Sequence, residues 1–269
     1  MSGAHGVDGE RHAGRSMASA EACPEGGARE VLRFGATERL FHWAVALPFL
    51  VLLGSGLALT YPAVRGLIFG YSAQVGLRLH LAAAVFLLLG PPLAILLGDR
   101  CALRDDARDF VSFGRREGQW LRRMPRWLLG LRTEMPPMGR FNAGQKLHAL
   151  FIGGATVLLT LTGAILWLGV PSGSAAWREV VALSRRLHTL VTLVVIPPLA
   201  AHVFVATLHP RTREALRGIL FGTVAAHWAA EHHPAWYPTG GEFRDAGGPR
   251  RSPGARQGAS GGVVRDRAG

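Results

Sequence analysis

Cysteine is nearly absent from this 269-residue chain: Cys23 and Cys101 stand far apart, in no CxxC or CxxCH pattern. That excludes a disulfide framework, a cysteine-ligated iron–sulfur cluster and c-type haem attachment. Acidic residues are scarce too, 18 Asp and Glu against 30 Lys and Arg, leaving a formal charge of +12. In a soluble protein that balance would point to nucleic acid. Here the arginines flank apolar runs, so lipid head groups, a partner protein or cofactor carboxylates are the expected counter-charges, not nucleic acid. Residues 1–30 lack an apolar run; polar and Gly/Ala-rich, they do not look like a secretory signal peptide and read as a disordered tail. Residues 239–269 read as a second disordered tail. No segment shows the alternation of a half-buried strand.

What the chain does have is 49% hydrophobic residues, gathered in four runs: 39–59, 79–97, 147–170 and 187–208. Each approaches the ~20 residues needed to cross ~30 Å of hydrocarbon as a helix. In lipid the backbone must satisfy its own hydrogen bonds, so helices follow. The expected fold is an all-α, integral membrane four-helix bundle over residues 31–238. Loop charge sets its orientation. Segment 98–146 carries ten arginines and Lys146, whereas 60–78 holds only Arg65 and Arg78, and 171–186 only Arg178, Arg185 and Arg186. Positive-inside bias puts the long loop and both termini in the cytoplasm. Within that loop, 104–132 mixes Phe110, Phe113, Trp120 and Trp127 with arginine. It is expected to lie on the membrane surface as amphipathic helix; the alternative is a solvated charge run.

The orientation gives each membrane histidine a depth. His80 and His188 fall near the outer surface, and His42, His148 and His202 near the inner one. His188 and His202 are fourteen residues apart, ~21 Å along one helix and only ~40° apart around its axis. Two haems of the b type, each held by two histidines, fit those two levels, and ionisable residues within a membrane mark functional sites. Singly, histidines at helix ends are commonly interfacial residues; His202, well inside its span, fits that description least. Arg78-Leu79-His80 and Arg186-Leu187-His188 repeat one triplet at both outer entrances. Arg78 and Arg186 could pair with haem propionates, or simply snorkel. Gly54, Gly56, Gly90, Gly153, Gly154 and Gly163 allow close helix approach, with or without a macrocycle. Pro91-Pro92 and Pro197-Pro198 remove backbone donors and are expected to kink their helices.

Three stretches together resemble one family. RFGATERLFHWAVALPFLVLLGSGLAL (33–59), QKLHALFIGGATVLLTLTGAILWL (145–168) and HPRTREALRGILFGTVAAHWAAEHHPAW (209–236) are similar to the cytochrome b (gamma) subunit of membrane-bound formate dehydrogenase. The spacing HP…RG…G…W…EHHP.W is the most discriminating part, and the resemblance covers residues 31–238. It implies a four-helix subunit with two b haems, working in anaerobic respiration. Electrons would pass from an iron–sulfur (beta) subunit, fed by a molybdenum or tungsten catalytic (alpha) subunit, to a quinone, either menaquinone or ubiquinone. By motif position, His80 and His188 would ligate the outer haem, and His42 and His202 the inner one. The family's quinone pocket lies at the start of span three, where its motif carries asparagine; His148 stands there in this reading, as a quinone contact or a competing ligand. The chain itself shows no molybdenum or selenocysteine machinery, so formate oxidation belongs to a partner. Residues 211–233 then read as a cytoplasmic docking helix, with Glu231, His232 and His233 structural or metal-binding. Two other readings stand beside this one: the cytochrome b subunit of a hydrogenase or another molybdoenzyme, and a haem-free histidine-containing transporter.

Overall fold

The computed structural model describes residues 29–70, 72–169 and 174–237, and the backbone of 243 and 244. The expected tails, 1–30 and 239–269, fall almost wholly outside them. In chain order the elements are β1 (Glu30–Leu32), α1 (Ala36–Thr60), α2 (Pro62–Phe69), α3 (Ala73–Leu97), α4 (Arg100–Val111), α5 (Arg115–Leu128), α6 (Ala143–Leu168), α7 (Ala175–Thr207), α8 (Glu214–Phe221), β2 (Thr223–Ala225), α9 (Ala226–His232) and β3 (Phe243–Arg244). Helices α1, α3, α6 and α7 are long and apolar enough to cross a membrane. Their outward side chains, among them Phe86, Leu97, Val157, Trp167 and Leu190, are exposed and apolar, as a lipid-facing surface requires. The all-α bundle expected from the apolar runs is the observed architecture.

Local chemistry sets the helix ends. Ser72, Asp99 and Ser174 cap α3, α4 and α7 by accepting from backbone N–H groups of the first turn. Asn142 caps α6 reciprocally with Gln145. Helices α3 and α7 both run on through their proline pairs; neighbouring helices re-satisfy freed backbone groups within a membrane. The fourth helix starts at Ala175, well before the expected Leu187, because Ser174 supplies a cap and the polar turns that follow remain helical.

The bundle is two hairpins. Helix α1 packs along α3 and α6 along α7, while the hairpin backbones approach one another at few points. Side chains join them at mid-height, where Phe49 of α1, Ala155 of α6 and Val195 of α7 are buried together. At the arginine-rich end, α4 and α5 lie across the bundle against α6. Trp120, Leu121, Met124, Trp127 and Leu128 are half-buried on one side of α5, and Arg115, Arg116, Arg122, Arg123 and Arg126 are exposed. That division is the expected amphipathic pattern.

The same end carries a small cap that sequence periodicity did not reveal. Strand β1 pairs antiparallel with β2 and with β3, in the order β2-β1-β3. The segment read as one docking helix over 211–233 is therefore α8, β2 and α9. Gly222, at φ 93°, turns the chain out of α8 and into the sheet. Val31, Val224, Ala226, Trp228 and Ala229 form the core of the cap. Trp43 Nε1 donates to Ile219 O and Arg39 to Leu220 O, tying α8 to α1.

Candidate haem sites

At the end of the bundle away from the arginine-rich connection, His80 of α3 and His188 of α7 face one another. Their ring centres are 6.3 Å apart and their planes 65° apart. Two metal–nitrogen bonds of about 2 Å, plus about 1.1 Å from each nitrogen to its ring centre, span about 6 Å. The spacing fits one iron between two imidazoles.

Each ring is held in the same way. Ser55 Oγ of α1 lies 2.9 Å from His80 Nδ1, and Thr162 Oγ1 of α6 lies 2.9 Å from His188 Nδ1. Both hydroxyls donate to the carbonyl one helical turn back, Ser55 to Val51 O and Thr162 to Leu158 O, each at 2.7 Å. The next residue in each helix is glycine. A Cβ on Gly56 would meet His80 Cε1 at 3.3 Å, and one on Gly163 would meet His188 Cε1 at the same distance. These glycines thus seat the imidazoles as well as easing helix approach. Arg78 and Arg186 are exposed beside this pair and form no hydrogen bond or ion pair with the described residues.

The level at the arginine-rich end gathers three histidines. His148 of α6 stacks on His202 of α7, with centres 4.2 Å apart and planes 8° apart. Rings in such a stack leave no space for a metal between them. His42 of α1 lies within electrostatic reach of both, and its buried Nδ1 has no hydrogen-bond partner among the described residues. His42, His148 and His202 thus share one level of the bundle. Val195 stands midway along α7 between His188 and His202 and belongs to the buried layer that separates the two levels. The asparagine at the head of α6 is Asn142, six residues before His148, and its side-chain oxygen is occupied by the Gln145 amide.

Charged side chains brace the inner end. Arg140 pairs with Glu38 of α1 and Asp106 of α4 and donates to Arg33 O. Lys146, the chain's one lysine, is 4% exposed and reaches Asp109 at 2.7 Å, Glu117 at 3.1 Å and Ser112 O at 3.0 Å. Buried charges of this kind need all their partners. Burial raises Asp106 to about 7, offset only in part by Arg140 and reinforced by Glu38. Arg33 lies over the rings of Trp228 and Trp236. His233 Nδ1 is 2.7 Å from Gly139 O, and His232 stacks on Trp228. Burial holds both histidines below their ordinary value, as suits packing groups. Among the described residues no group of three or more His, Cys, Asp or Glu side chains could hold a metal ion.

The histidines and Arg78 and Arg186 stand out in the sequence; Ser55 and Thr162 do not. The signal was present: Ser55-Gly56 precedes its triplet, and Thr162-Gly163 precedes the other, at nearly equal distance.

Four apolar helices with paired imidazoles at two depths define a membrane cytochrome b. The chain belongs to the prokaryotic cytochrome b561 family, whose sequence pattern matches residues 33–222. Haem b is the cofactor that this membership implies. The chain is 26% identical over 218 residues to the nitrate-inducible formate dehydrogenase cytochrome b556(Fdn) subunit of Escherichia coli (strain K12), covering 77% of this chain and 90% of that one. It is 25% identical to the formate dehydrogenase cytochrome b556 subunit of Haemophilus influenzae, covering 77% and 82%. It is 24% identical to the cytochrome b556(fdo) subunit of the E. coli K12 enzyme, covering 77% and 92%.

Proposed function

We propose that this chain is the di-haem membrane subunit of a formate dehydrogenase complex, carrying electrons from an iron–sulfur subunit across the inner membrane to a quinone. Its similarity along nearly the full length of formate dehydrogenase subunits supports the choice of complex. The observation that carries the electron-transfer reading is the pair of histidine levels on α7, with His80 opposite one and His42 and His148 beside the other. Each haem, when bound, supplies an iron that gains and loses single electrons. The residues do the rest: His80 and His188 hold the outer group, and His42 and His202 the inner. Arg78 and Arg186 meet the outer propionates, and His148 offers a hydrogen bond to a quinone carbonyl beside the inner site. The arginine-rich end, with both termini, faces the cytoplasm by positive-inside bias, so quinone would take up its protons there. The partners are then an iron–sulfur subunit at the outer face and a molybdenum or tungsten subunit beyond it.

Affinity purification of the tagged full-length chain from its native membrane, followed by subunit identification and haem and metal analysis, tests this. The expected product contains an iron–sulfur protein and a molybdenum- or tungsten-bearing subunit, and the whole complex reduces quinone on formate. Recovery with a hydrogenase instead would reassign the complex while leaving the cytochrome in place.

A further inference from the structure

We propose that Ser55 and Thr162 are positioning residues for the outer haem: each hydroxyl accepts the Nδ1–H of one axial histidine and so presents Nε2 to the iron. The inference rests on the reading that His80 and His188 are those axial ligands.

Donor accounting requires this tautomer. A hydroxyl has one proton, and in both residues the carbonyl one turn back, 2.7 Å away, takes it. With that proton donated to the carbonyl, the lone pairs facing the imidazole accept, and each Nδ1 at 2.9 Å carries the hydrogen. Nε2 is left with its lone pair, the form a metal requires. Ser55 is 2% exposed and Thr162 4% exposed, so water does not compete for either bond.

The device occurs twice, once in each hairpin, and both copies act at the same level. Ser55 reaches from α1 to the histidine of α3, and Thr162 from α6 to that of α7. Among the described residues the other level has no equivalent, since His42 Nδ1 is buried there without a partner. An acceptor on Nδ1–H orients the ring and raises ligand basicity, and the backbone carbonyl behind each hydroxyl polarises it further. A more basic ligand favours ferric iron. The hydroxyls therefore lower the potential of the outer haem selectively.

Three variants in the intact complex test this: Ser55→Ala, Thr162→Val, which keeps the shape of threonine without its hydroxyl, and Thr162→Ser, which keeps the hydroxyl without the methyl. Potentiometric titration of the two haems, with electron paramagnetic resonance of the ferric ligand field, is the readout. Ser55→Ala and Thr162→Val are expected to raise the midpoint of the haem that His80→Ala removes, or to release that haem, while the other keeps its potential. Thr162→Ser should match the parent. Unchanged potentials in Ser55→Ala and Thr162→Val would overturn the proposal. So would a Thr162→Ser that shifts or loses the haem as Thr162→Val does, or a shift confined to the haem that His202→Ala removes. If His80→Ala and His188→Ala both retain two haems, the ligand assignment itself fails, whatever the hydroxyl variants do.

Discussion

The imidazoles carry the chemistry at the scale of single residues, and their surroundings separate their roles. His80 and His188 oppose one another at a metal-holding distance, whereas His148 and His202 stack too closely for that. If His42 and His202 hold the second haem as proposed, His202→Ala is expected to remove that haem and spare the one at His80 and His188, leaving one b-type haem per chain by difference spectroscopy. Retention of both would reject His202 as a ligand. His148→Leu should leave both haems reducible yet slow quinol formation severalfold in a formate-to-quinone assay, and unchanged turnover would remove His148 from the quinone site. The histidines were legible in the sequence because an imidazole in an apolar helix is conspicuous and a fourteen-residue spacing returns to one helix face. Ser55 and Thr162 were not, because a hydroxyl bonded to its own backbone is ordinary in a membrane helix, and only its neighbour across the hairpin gives it a role.

Among the elements, α7 sets the register of both sites. It presents His188 and His202 on one face, with buried Val195 between them, and the other helices bring partners to those heights. Its existence and that of the three other spans were legible from apolar runs, though not its start at Ala175, which the Ser174 cap sets. The cap was not: β1 and β2 are three residues each, too short for a period-2 pattern, and they pair across most of the chain. What breaks the expected 211–233 helix is Gly222, whose positive φ resists a side chain and whose Cβ would lie 2.8 Å from Phe34 O. Gly222→Ala should cost about 1–2 kcal/mol of local stability. Amide exchange should show this as faster exchange in β1 and β2 with α3 and α6 unaffected; equal protection in the two proteins would mean the turn tolerates a side chain.

For the molecule as a whole, two hairpins meet at mid-membrane through Phe49, Ala155 and Val195 and are clamped at one end by α4, α5 and the cap. Much of that clamp is ionic: Arg140 with Glu38 and Asp106, and Lys146 with Asp109 and Glu117. Asp106 titrates near 7 in the fold, raised by burial from 3.8. The unfolded chain therefore releases this proton first, and the contribution of Asp106 to stability falls as pH rises from about 4 to about 7. Asp106→Asn removes that dependence. Thermal unfolding in detergent across the window should show the parent losing stability relative to the variant as pH rises, and parallel curves would place the Asp106 pKa at its ordinary value. Under the proposed function, the two histidine levels each hold one haem. Haem content per chain, measured on the purified protein by pyridine haemochrome assay with a reduced-minus-oxidised spectrum, tests it most directly. Two b-type haems per chain are predicted; one or none would contradict it.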